Sequence, residues 1–96
     1  TRKGATANQL LADLSDNLAG IDAARRMETL AQTSLLPQAE LTFQSALAGY
    51  EIGKVDFATL LDAQRQIRKA KQDIIKAQTE QQARLAEIER LIGEDL

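Results

Sequence analysis

Cysteine, histidine and tryptophan are missing from this 96-residue chain; proline and methionine occur once each, and the only aromatics are Phe43, Tyr50 and Phe57. Without Cys there is no disulfide framework, no thiolate nucleophile and no thiolate metal site, so an oxidising compartment is permitted but not demanded. Without His the commonest general base and zinc ligand is gone as well. The remaining soft donor, Met27, stands alone, so no metal site and no cofactor are expected. Asp and Glu are scattered along polar helix faces, where solvated carboxylates are the simpler reading; the chain does not read as an enzyme. Lys and Arg (12) do not exceed Asp and Glu (14), so no basic face argues for nucleic acid. No apolar run approaches the ~20 residues of a membrane-spanning helix. The start, Thr1-Arg2-Lys3-Gly4, leads into polar sequence unlike a signal peptide, and Thr1 in place of an initiator Met suggests a piece excised from something larger.

What is present is mostly Ala and Leu in helical periodicity, broken once. The interruption is Gly49-Tyr50-Glu51-Ile52-Gly53-Lys54-Val55-Asp56-Phe57. Gly53 suits a positive φ at a helix end, and Asp56 stands where its carboxylate can cap a helix starting at Phe57. The Gly-Lys pair superficially resembles a phosphate loop, but no strand precedes it and the Gly-Lys-Ser/Thr spacing fails. The pattern predicts an all-α fold: a long antiparallel coiled-coil hairpin, with helices over about 7–49 and 57–92 and a tip at 50–56.

In the first helix Leu11, Leu14, Leu18 and Ile21 step by three and four; Thr6 and Asn8 are candidate N-caps. That seam then meets Arg25 and Glu28, while apolar residues continue one position out of phase at Ala24, Met27, Leu30 and Ala31. A change of seam is therefore expected near Gly20, which itself weakens a helix by about 1 kcal/mol. Pro37 either starts a new helix or kinks a continuous one; the unbroken apolar run at Leu35-Leu36 favours the kink. The second helix is more regular. Leu60, Ala63, Ile67, Ala70, Ile74, Ala77, Gln81, Arg84, Ile88 and Leu91 form one seam, and Leu61, Ile75, Leu85 and Ile92 a sparser second one. Asp62/Arg65, Asp73/Lys76, Glu80/Arg84 and Glu87/Arg90 are surface pairs, and Gly93 is a natural C′ residue ending the helix near Ile92. Such a helix is roughly 55 Å long. Two helices with two seams leave apolar surface uncovered, so self-association is expected, as a dimer or higher for this piece.

Tyr50-Glu51-Ile52-Gly53, Phe57 and Leu60-Leu61-Asp62-Ala63-Gln64-Arg65 together resemble the tip of the TolC-like outer-membrane efflux factors. Leu35-Leu36-Pro37-Gln38-Ala39-Glu40 and Leu85-Ala86-Glu87-Ile88-Glu89-Arg90-Leu91-Ile92-Gly93 extend the resemblance, especially to the branch serving heavy-metal efflux. It covers about residues 30–93; the first thirty residues match only as generic helix. The resemblance implies a trimer with an outer-membrane β-barrel and a periplasmic barrel of helices, of which this segment is one C-terminal hairpin. It implies partners too: a periplasmic adaptor docking at Gly49, Tyr50, Gly53, Lys54, Val55 and Asp56, and an inner-membrane pump beyond it. Asp62 matches a carboxylate lining the narrow pore entrance, with Thr59 beside it. Thr59 replaces an acidic residue of some members and Val55 a basic one, so neither a second carboxylate ring nor a gate-locking salt bridge follows there.

Plainer readings stand beside these. Tyr50 can simply staple the turn, Asp62 can be a solvated residue paired with Arg65, and the Ala layers need only mean close packing. Two other functions remain open at this point: the hairpin of a periplasmic adaptor, or a soluble helical dimerisation module. Adaptors carry Arg-x-x-x-Leu followed by Ser or Thr seven residues on; Arg26 and Leu30 begin that spacing, but Pro37 occupies the last place, far from the turn.

Overall fold

The computed structural model describes residues 7–95, and it reverses direction once. Helix α1 spans Ala7–Leu30 and passes through a π-helical turn, Ala31–Leu35, into α2, Leu36–Glu51; after the tip, α3 runs without interruption over Phe57–Asp95. No strand occurs among the described residues. The hairpin measures 68 × 19 × 15 Å, and its radius of gyration of 20.6 Å far exceeds the roughly 12.5 Å of a compact domain of this length.

Backbone chemistry explains the reversal. Gly53 adopts φ +75°, the only positive φ among the described residues. The Lys54 and Val55 amides then both donate to the Gly49 carbonyl, at 2.8 and 3.2 Å, and the Gly53 amide donates to that of Tyr50 at 3.0 Å. Helix α3 opens as expected, with Asp56 Oδ1 accepting from the Thr59 amide at 2.9 Å.

A thin seam of small residues holds the two arms. On α3 the buried positions Ala63, Ala70, Ala77 and Leu91 repeat every seven residues, with half-buried Arg84 in the remaining place. All ten residues of the expected main α3 seam are buried or half-buried. Opposite them, Asn17, Ala24 and Ala31 are buried at the same spacing, and Ala39 and Ala46 resume it after one step of eight. The π turn contains that additional residue, which keeps the Ala stripe facing α3 on both sides of it.

This corrects the expected α1 seam. Leu14 and Ile21 are half-buried, but Leu11 and Leu18 are 63% and 59% exposed, and the buried line passes through Asn17 and Ala24. No phase change occurs at Gly20; it falls at Ala31–Leu35. Close approach selects the smaller side chains for the centre and turns the neighbouring Leu outward. Pro37 does not break the helix: Leu36 keeps helical φ/ψ of −67° and −49°, and its amide reaches the Ala31 carbonyl. The wider π turn accommodates the residue that a regular α-turn would exclude. Nor does Gly93 end α3, which continues to Asp95, because glycine permits a left-handed cap without imposing one. Arg90 instead bonds Glu87 behind it and Glu94 ahead, with Nη1 2.8 Å from Glu94 Oε2. Asn8 lies inside α1 and is not its cap, while Thr6 lies outside the described residues. The Glu80–Arg84 and Glu87–Arg90 pairs form, but Asp73 pairs with Lys69 at 3.2 Å and Asp62 accepts from Gln66 at 3.3 Å.

Candidate functional site: the hairpin tip

The tip is a small, tightly bonded loop presenting apolar side chains to its surroundings. Gly49 is indispensable to its shape, because a Cβ there would meet Val55 Cγ2 at 2.5 Å. Val55 therefore folds back over the end of α2, half-buried, while the rest of the loop remains exposed. Tyr50 and Phe57 stand on opposite sides of the loop with ring centroids 6.0 Å apart and planes tilted by 60°, so they bracket the turn. The staple reading of Tyr50 is thus realised, yet the residue keeps 43% exposure, with Ile52 at 67% and Phe57 at 60%. The tip thus displays three large apolar side chains, Tyr50 at the end of α2, Ile52 in the turn and Phe57 at the start of α3. Aromatics of this kind are enriched where proteins meet proteins.

A shallow depression of about 470 Å³ lies against Gly53, Lys54, Val55, Asp56 and Thr59. A second, bounded by Leu41, Thr42, Ser45, Ala46, Val55 and Thr59, shares two of its walls, so the tip continues into a groove between the arms. The Asp56 carboxyl is held below its usual range, first by the Thr59 hydroxyl and then by the Thr59 amide. Its charge is spent on capping α3, where it also complements the helix N-terminus. Asp62 is exposed on α3 with Gln66 as its hydrogen-bond partner, and Thr59 is exposed one turn nearer the tip. The structure therefore gathers Gly49, Tyr50, Gly53, Lys54, Val55, Asp56 and Thr59 at one end, with Asp62 beyond them along α3.

Ile52 and Phe57 belong to this surface although the sequence reading assigned neither a site role. Two polar layers in the shaft were missed as well. Glu28 accepts from Gln78 Nε2 and Gln81 Nε2, both at 2.8 Å, and these bonds hold its carboxyl below the ordinary range. Arg84 reaches Asn17 Oδ1 at 3.3 Å and Glu80 at 2.8 Å, and Gly20 makes room for its guanidinium: a Cβ there would lie 2.6 Å from Arg84 Nε. The available signal was polar residues recurring at seam positions, as at Asn17 and Glu28, opposite Gln81 and Arg84.

Among the described residues no three His, Cys, Asp or Glu side chains gather into a metal-binding group, and no helix is long and apolar enough to cross a membrane. What this geometry offers is contact surface: an elongated scaffold, an apolar-tipped end and long uncovered stripes. The chain belongs to the outer membrane efflux protein family, whose model matches residues 2–94. It is thereby a part of a channel protein of outer-membrane efflux. Comparison with curated proteins and with solved structures returned no match.

Proposed function

We propose that this hairpin is one wall segment of the periplasmic barrel of a trimeric efflux duct, with its tip directed at the inner membrane. A periplasmic adaptor docks on Gly49, Tyr50, Gly53, Lys54, Val55 and Asp56, with Ile52 and Phe57 enlarging the apolar contact. Asp62, repeated three times around the assembly, lines the entrance beside Thr59, and metal cations are the cargo class that the heavy-metal branch resemblance favours. Cargo passes through the assembled duct and needs no ligands from this segment.

The observation supporting this reading most directly is the second, uncovered apolar stripe. Of the sparser α3 seam Leu61 is half-buried, but Ile75, Leu85 and Ile92 are 62%, 44% and 43% exposed, and on α1 Leu11 and Leu18 are 63% and 59% exposed. A self-sufficient hairpin has no use for these residues, whereas a wall segment needs neighbours on both flanks. The family match favours a duct over an adaptor hairpin or a dimerisation module.

The test is crosslinking to the adaptor in the full-length protein. Gly53→Pro forces φ from +75° to about −65°, remodelling the tip while sparing both shafts. It is expected to abolish most tip–adaptor crosslinks, whereas a change at exposed Gln82 leaves them intact. Equal crosslinking in the two variants would refute the tip assignment.

A further inference from the structure

Among the described residues, side-chain hydrogen bonds that cross between the arms occur on one side of the π turn only. On the body side the arms are clamped by hydrogen bonds that cross between helices: Gln78 and Gln81 to Glu28, and Arg84 to Asn17. On the tip side, from Leu36 to the turn, the side-chain hydrogen bonds of the described residues are local to one helix or to the cap. Thr42 bonds Gln38, Gln66 bonds Asp62, Lys69 bonds Asp73, and Asp56 bonds Thr59. There α2 rests on α3 through buried Ala39, Ala46, Ala63 and Ala70 with half-buried Phe43, Leu60 and Ile67 between them, an apolar seam without cross-helix side-chain hydrogen bonds among the described residues.

The junction itself has weakened helical bonding. The Leu36 amide bonds the Ala31 carbonyl in place of that of Gln32, and Pro37 has no amide to offer Thr33. Two successive carbonyls thus lose their ordinary α-helical donors at the point where the seam steps by eight. Helix α3 has no such interruption across its whole length.

We propose that the π turn at Ala31–Leu35 is a hinge that uncouples α2 and the tip from the hydrogen-bonded body, letting α2 re-pack along the Ala seam of α3 while the body holds its register. The functional consequence, a tip that changes shape without disturbing the shaft, rests on the duct reading above; the hinge itself does not.

Paired spin labels can be placed in the full-length protein, with any Cys outside this Cys-free segment first replaced, at Ala23 and Ala48, spanning the π turn, and at Gln64 and Glu89, an equal span of α3. All four positions are exposed. The Ala23–Ala48 distance distribution is expected to be about twofold wider than the Gln64–Glu89 one. Deleting Thr33 together with Pro37→Ala restores the seven-residue step, and is expected to narrow the first distribution to the width of the second. Equal widths in the unmodified protein overturn the hinge whether or not the deletion variant folds. Adaptor crosslinking at the tip is read separately, so a rigid π turn with an intact tip contact refutes the hinge alone.

Discussion

Gly49 and Asp56 do opposite kinds of work at the two ends of one loop. Gly49 is required for space: any Cβ collides with Val55, a branched side chain already packed on the loop. Gly49→Ala is expected to destabilise the hairpin by about 1–3 kcal/mol, as overpacking does. Val55→Ala in the same chain should recover most of that loss, which chemical denaturation of the four-member cycle measures. Asp56 is required for its acceptor oxygen. Its folded-state pKa is depressed, so its contribution is fully present above the unfolded carboxylate range and disappears as pH falls through the folded value. Glu28 follows the same sign for a different reason, the two glutamine amides that bond its charged form. Asn is a comparable cap that does not titrate. Asp56→Asn should therefore preserve the melting temperature near neutrality and flatten part of its decline on acidification; an unchanged acid profile would show that Asp56 does not carry that dependence.

At the scale of the helix, the spacing between arms is set by the residues that are absent from the seam. Ala63, Ala70 and Ala77 are 2%, 5% and 4% exposed, leaving no room for a larger side chain without parting the helices. Ala70→Leu is expected to cost about 1–3 kcal/mol, although it raises hydrophobicity, while Ala83→Leu on the exposed face stays within about 0.5 kcal/mol. Denaturation midpoints for the two variants decide it. This also shows why α3 was legible in the sequence and α1 only partly. In α3 each Ala layer alternates with Ile or Leu, so three- and four-residue steps and burial coincide. In α1 the larger Leu residues draw the eye to Leu11 and Leu18, yet the close seam belongs to Asn17, Ala24 and Ala31. The reversal was legible because Gly53 and Asp56 act locally. The π turn was not: it arises from reconciling Pro37 with a seam whose partner lies on the other arm, a tertiary demand that no local pattern expresses. Val55 over Gly49 and Arg84 over Gly20 escaped for the same reason, since each glycine answers to a residue distant in sequence or beyond a turn.

For the whole molecule, exposed area is the deciding quantity. The structure presents 6833 Å² at a mass of 10.5 kDa, whereas a compact monomer of that mass exposes about 5,400 Å². Elongation accounts for the excess geometrically, but the excess includes Leu11, Leu18, Leu41, Ile75, Leu85 and Ile92, each a large apolar side chain in water. Burying the exposed remainder of such a side chain contributes a fraction of the about 1.5–3 kcal/mol of full burial, so several of them must share one interface to offset the cost of association. The isolated chain is therefore expected to associate, its apparent mass in sedimentation rising with concentration, even where the barrel geometry of the complete protein does not form. Ile75 and Leu85 lie off the α3 seam, so Ile75→Lys with Leu85→Glu removes apolar surface from the outer stripe while leaving the Ala layers untouched. That variant should stay helical and sediment as a monomer across the same concentration range. If it associates as strongly as the unmodified chain, the outer stripe is not what holds copies together, and the case for neighbours along both flanks of the hairpin loses its physical basis.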